Sequence, residues 1–179
     1  MNDSNDLCEA ITWAKDSGVV RGYADGTFKP SASINRMEML KVVLEALGIG
    51  PDASVSGNLG FKDVESGAWY MGYIKTGKDR GIFSGDTGKA TARPGDTVNR
   101  VEALKLAFET VRIQKGLALN RCESSYADVK STDWFSVYAC QAAQYDLFDI
   151  SGNNLAPGTL SSRGEIVEML YRMHKAGLL

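Results

Sequence analysis

Three arginines recur in segments that align without gaps: Ile34-Asn35-Arg36-Met37-Glu38, Val98-Asn99-Arg100-Val101-Glu102 and Ser161-Ser162-Arg163-Gly164-Glu165. They are separated by 64 and then 63 residues, with Pro30, Pro94 and Pro157 six positions upstream. Asn35, Asn99 and Ser162 are good N-cap residues, and Glu38, Glu102 and Glu165 follow three positions later, which predicts a helix start with a capping box. Each arginine then falls at the first helical position, where a cation opposes the helix dipole by roughly 0.3–1 kcal/mol. The same unfavourable choice made three times points to an anionic partner. A helix start already presents free N–H groups, and a guanidinium adds a planar fork matched to a carboxylate. A second reading stays open, in which the arginines pair with acids of neighbouring segments and lock them together. The ligand reading is preferred for Arg36 and Arg100, the lock for Arg163.

Other reactive residue types offer less. Glu38, Glu102 and Glu165 are committed to capping, so catalysis by them is not expected. Asp63 and Asp128 are read as caps of the helix or turn before Trp69 and Trp134, with ligand contact as the alternative. The tryptophans are either core residues on a helix stripe or platforms for a sugar. Gly22 and Gly85 would let a ligand approach the backbone closely. His174, the only histidine, is expected to pack on a buried stripe near a helix end. Asp25-Gly26 lacks the alternating oxygen ligands of a calcium loop, and there is no phosphate loop, zinc pattern or nucleophile elbow. No cofactor or metal is expected.

The elements that must position these residues are helices. Behind each capping box runs an apolar stripe at helical spacing: Met37, Leu40, Val43, Leu44, Leu47; then Val101, Leu104, Ala107, Phe108, Val111; then Gly164, Val167, Leu170, Tyr171, His174. An earlier helix is predicted before each, near Ala10, Ile11 and Ala14, then on a face of Trp69, Tyr73, Ile74 and Gly77, then on Trp134, Tyr138 and Ala142. Asp63-Val64 with Trp69 matches Asp128-Val129 with Trp134, whereas the first unit lacks this opening. Gly-rich loops such as 22–28 join the helices. The fold class expected is all-α, with three helix–loop–helix repeats at 1–50, 61–113 and 126–179 sharing one core. The stretches Pro51–Gly60 and Lys115–Ser125 read as connectors within one module.

A formal charge of −2 among 179 residues provides no basic field for nucleic acid or anionic lipid. The short apolar runs do not suit membrane insertion. Cys8, Cys122 and Cys140 are too few for a disulfide framework, though a bridge between Cys122 and Cys140 would leave Cys8 as the odd thiol. Residues 1–7 are polar and lack the apolar core of a secretory signal. The chain is therefore either cytosolic or one whose targeting segment has been removed, and the repeats favour the second.

The run Ala10-Ile11…Gly18-Val19-Val20-Arg21-Gly22-Tyr23-Ala24-Asp25-Gly26-Thr27-Phe28-Lys29-Pro30…Ile34-Asn35-Arg36-Met37-Glu38 closely resembles the S-layer homology motif. Phe61-Lys62-Asp63-Val64…Trp69 and Tyr126-Ala127-Asp128-Val129…Trp134 resemble its opening in two further repeats. The resemblance implies one pseudo-threefold, three-pronged domain with ligand grooves between repeats. It implies an exported cell-surface or cell-wall location, with passenger domains elsewhere in the full-length protein. The implied ligand is a secondary cell-wall polysaccharide, commonly bearing ketal-linked pyruvate, or peptidoglycan. Arg36, Arg100 and Arg163 occupy the position of the arginine in the family's Thr-Arg-Ala-Glu signature, a principal ligand contact. Asn replaces the Thr cap in two repeats. The third repeat has Asp146 where the others have Gly18 and Gly81, and Ile150 where they have Gly22 and Gly85, so its groove departs most from the pattern.

Anchoring through an anionic glycan is thus the leading expectation. A protein–protein or self-assembly module of the envelope is the alternative. A glycan hydrolase would need two acids flanking the scissile bond, and the repeated acids are used as caps.

Overall fold

A computed structural model describes residues 3–120, 122–123, 125–150 and 152–179. Met1 and Asn2, at the head of the polar start, lie outside the described residues. The helices are α1 (Asp3–Asp16), α2 (Arg36–Ala46), α3 (Met71–Asp79), α4 (Arg100–Lys115), α5 (Ser136–Gln144) and α6 (Arg163–Lys175). The fold is all-α, as expected. Among the described residues the only β pairings are isolated bridges, Ser33–Ser162, Asn35–Thr97 and Asn99–Leu160, which tie the three capping segments to one another.

Helices α2, α4 and α6 begin where the capping boxes place them. Asn35 accepts from the backbone N–H of Met37 and Glu38, and the Glu38 carboxylate returns to the Asn35 N–H. Asn99 and Glu102 form the same reciprocal pair. At α6 only half of the box forms: Ser162 accepts from the Glu165 N–H.

The three capped helices are buried over more than one stripe. Met39 and Val42 are buried with Leu40 and Val43, and Ile166, Met169 and Met173 with Val167 and Leu170. A single amphipathic face underestimates them because each meets several neighbours. Helix α2 packs on α3, α4 and α6, α4 also on α5, and α6 also on α1. The first and last helices thus join, and α1 completes the packing of α6. At this joint His174 departs from expectation. It is exposed, stacked on Trp13 at 5.1 Å, while Met173 takes the buried place.

Trp69 and Trp134 also depart from the helix face expected of them. Helices α3 and α5 begin two residues after each tryptophan, at Met71 and Ser136, and the two indoles are 56% and 59% exposed. Tyr73 and Tyr138 hold the buried faces instead, each donating its hydroxyl to a glutamate of the preceding capped helix, Glu45 and Glu109. Burial first, then these carboxylates, push both phenols well above the usual tyrosine range.

The connectors dock onto the helices. Asp52 N–H donates to the Gly72 carbonyl at 3.2 Å, and a Cβ on Gly72 would lie 2.6 Å from the Asp52 carbonyl oxygen. Cys122 and Cys140 form a disulfide with a Cα–Cα distance of 5.9 Å, while Cys8 is free and exposed. Among the described residues no helix is long and apolar enough to cross a membrane.

Candidate functional site

Each helix-start arginine reaches onto the loop of a different segment, Arg36 and Arg100 onto the next one and Arg163 back onto the first. Arg36 Nε donates to the Ala92 carbonyl at 3.1 Å, and Arg163 Nε to the Phe28 carbonyl at 3.2 Å. Arg100 Nη1 donates to the Leu155 carbonyl at 2.6 Å. Residues 28, 92 and 155 are matched positions at the same 64- and 63-residue spacing. An aromatic ring lies beneath each guanidinium: Phe83 below Arg36 at 5.7 Å, Phe148 below Arg100 at 5.6 Å, and Tyr23 below Arg163 at 4.8 Å. The three side chains are only 16%, 18% and 12% exposed, yet each lines an open cleft. These clefts measure about 450 Å³ at Arg36, 420 Å³ at Arg100 and 200 Å³ at Arg163.

Asp63 and Asp128 hold the loops that receive the arginines. Asp63 accepts from the N–H groups of Ala92 and Arg93, both at 2.8 Å. Asp128 accepts from Leu155 and Ala156 at 2.8 and 2.7 Å. They staple a loop some thirty residues downstream and do not cap the local helix, and neither lines one of these clefts. Burial would raise the Asp63 carboxyl, but the two backbone donors outweigh it and hold it below its ordinary value.

Gly22 and Gly85 line the Arg163 and Arg36 clefts. At Gly85 (φ +69°) a Cβ would run into the Phe61 ring and lie 2.5 Å from the Thr91 carbonyl oxygen. The loop closes here through an Asp86 N–H donated to that same carbonyl at 2.8 Å. The space a side chain would occupy is filled by the protein itself, so loop closure requires the glycine.

The clefts differ in charge. Arg36 has its nearest carboxylate oxygen, on Asp86, at 3.8 Å. Arg163 has Glu38 at 3.9 Å. Among the described residues neither guanidinium meets a carboxylate at hydrogen-bond distance. Arg100 donates Nε to Glu165 at 2.7 Å. The Arg36 cleft sets four cations, Arg36, Lys89, Arg93 and Lys105, against three carboxylates. Among the described residues the Arg163 cleft sets Arg163, Arg21 and Lys41 against Glu38. In the Arg100 cleft the balance inverts, with Asp149, Glu165 and Glu168 against Arg100. Burial, then the charge of Arg93, pull the Arg36 guanidinium below its ordinary value against the opposing acids. A group so placed gains from an added anion.

Trp69 lines the Arg163 cleft and Trp134 the Arg36 cleft. Lys41 Nζ lies 5.9 Å from the Trp69 ring and Lys105 Nζ 5.5 Å from Trp134, while Tyr70 and Phe135 steady the indoles edge-on. Reasoning from the sequence did not single out Lys41 and Lys105. They stand five residues after Arg36 and Arg100, where Glu168 follows Arg163, and that column of the repeat alignment carries the signal. Among the described residues no group of three or more His, Cys, Asp or Glu side chains could hold a metal ion.

The S-layer homology domain family matches residues 6–40 and 60–104, segments that contain Arg36, Arg100, Gly22, Gly85, Asp63 and Trp69. A surface-layer 125 kDa protein of Lysinibacillus sphaericus is 31% identical over 118 residues, 64% of this chain and 10% of that protein. A cellulosome-anchoring protein of Acetivibrio thermocellus is 31% identical over 157 residues, 86% of this chain and 34% of that protein. An endo-1,4-beta-xylanase A of Thermoanaerobacterium saccharolyticum is 36% identical over 98 residues, 51% of this chain and 8% of the xylanase. The chain thus spans about a third or less of the length of these relatives. Capped helix starts, the loops they bond and the two matched segments agree: this chain belongs to the S-layer homology family.

Proposed function

We propose that this chain anchors a longer polypeptide to the cell wall by non-covalent binding of an anionic glycan, a secondary cell-wall polysaccharide carrying ketal-linked pyruvate, in clefts between three repeats. The family and its relatives place the chain at the cell surface and give anchoring as its general role. The polysaccharide, its pyruvate and the clefts are our reading. A Cys122–Cys140 disulfide suits an oxidising exterior.

The observation that carries the reading is the state of Arg36 and Arg163. Each is mostly buried and pinned through Nε to a backbone carbonyl, and among the described residues no carboxylate comes closer than 3.8 Å. A ketal carboxylate would find a preorganised fork beside the N–H groups of a helix start. An exposed tryptophan at each cleft rim offers an apolar face to the sugar ring.

The test is a pull-down with purified wall polymer before and after chemical removal of pyruvate. Binding should disappear with the pyruvate and with the Arg36→Gln, Arg163→Gln double variant. Undiminished binding to the depyruvylated polymer and by the variant would sink the proposal. Capture by pyruvate-free peptidoglycan alone would replace the ligand. Concentration-dependent oligomers in light scattering, with no polymer affinity, would move the function to self-assembly.

A further inference from the structure

We infer that this chain is a two-site anchor: the Arg36 and Arg163 clefts take the anionic glycan, while in the third cleft the Arg100 fork is already bonded to Glu165 and serves as a structural joint. The inference rests on the glycan reading above and says which arginines serve it.

All three clefts are assembled from matched parts, so their differences can be compared position by position. The first is the capping glutamate. Glu38 and Glu102 keep an oxygen on the N–H of their own N-cap at 3.0 Å. Glu165 instead accepts Arg100 Nε at 2.7 Å and leaves its half of the box unmade. An incoming carboxylate would have to displace a charge-assisted hydrogen bond already formed inside a partly buried pair. The second is the residue five beyond each arginine. Lys41 and Lys105 bring a cation to the Arg163 and Arg36 clefts, while Glu168 brings an anion to the Arg100 cleft. Glu168 is itself held by Arg172 at 2.6 Å. The third is the platform. Trp69 and Trp134 stand at the two cationic clefts, and no tryptophan lines the Arg100 cleft among the described residues. Charge, the state of the fork and the stacking surface are separate features, and they divide the three clefts the same way.

Lys41 and Lys105 therefore belong to the binding sites. Each approaches an exposed indole at the cleft rim, so that one sugar can meet a cation and a stacking face together.

The experiment titrates the full chain with a methyl hexoside bearing a pyruvate ketal, with the same hexoside lacking the ketal as control. Calorimetry should give two equivalents, and the side-chain Nε–H resonances of Arg36 and Arg163 should move while that of Arg100 stays. Arg36→Gln and Arg163→Gln should each remove one equivalent, and Arg100→Gln none. In the Glu165→Gln, Glu168→Gln double variant the Arg100 resonance should begin to respond. Three equivalents, a shifted Arg100 resonance in the native chain, or a silent one in that double variant would overturn the inference and leave glycan anchoring standing. No response from the native chain to either hexoside would overturn both. The resonances of the native chain decide the matter even where an arginine variant fails to fold.

Discussion

Arg100 Nε and Glu165 Oε1 lie 2.7 Å apart across 65 residues of sequence. Through this bond the glutamate of the third capping box serves its neighbour and not its own helix. The pair is 18% and 20% exposed, so it is dry enough to couple measurably. A double-mutant cycle with Arg100→Ala and Glu165→Ala should return about 1–3 kcal/mol in chemical denaturation. The matched pair Arg163 and Glu38, at 3.9 Å, should return less than about 0.5 kcal/mol. Equal couplings would contradict the asymmetry of the clefts.

The exposed tryptophans separate binding from stability. Trp69→Ala and Trp134→Ala remove side chains that are 56% and 59% exposed, so each should change unfolding free energy by no more than about 1 kcal/mol. Each should weaken adhesion to pyruvylated wall polymer several-fold, and in the native chain the polymer should shift indole fluorescence. A large loss of stability with unchanged adhesion would make them structural residues.

Asp63 predicts an acid dependence. Its folded pKa is held below the ordinary value because two backbone donors outweigh burial. The stabilisation is complete above the unfolded carboxylate pKa of about 3.9 and decays as pH falls through the lower folded value. Asp63→Asn should cost about 1–3 kcal/mol at neutral pH. That gap should narrow only in strong acid, read by denaturant midpoints against pH.

Gly85 and Gly22 share a left-handed backbone but differ in their surroundings. A Cβ at Gly85 would strike the Phe61 ring and the Thr91 carbonyl, while one at Gly22 would meet only the Thr27 carbonyl at 3.1 Å. Gly85→Ala should cost about 2–5 kcal/mol, overpacking added to backbone strain. Gly22→Ala should cost closer to about 1–2 kcal/mol. Thermal melts of the two variants order them.

The disulfide closes an 18-residue separation between the connector and α5. A loop of that size is worth about 3 kcal/mol through the unfolded chain. Cys122→Ser with Cys140→Ser should lower stability by about 2–4 kcal/mol and leave glycan binding unchanged at temperatures where the variant is folded.

The sequence by itself determined the starts of α2, α4 and α6 and the matched loops. Capping depends on residues three apart, and Asn35 with Glu38, or Asn99 with Glu102, needs no distant partner to be recognised. Helical periodicity likewise marked the core of α2 through Leu40, Val43 and Leu44. It could not reveal that Met39 and Val42 are buried too, because the second buried face depends on which helices surround α2. Nor could it place Trp69 and Trp134, since a helix beginning two residues later turns a stripe residue into a cleft rim. Only the tertiary structure decided which loop each arginine meets. Arg163 crosses to the first loop and Arg100 to the third, so the irregular third segment, with Asp149, Glu165 and Glu168, burdens Arg100 and leaves Arg163 beside Lys41. Local chemistry writes the cap and the fork; the charge around the fork comes from residues that only folding brings within a few ångströms.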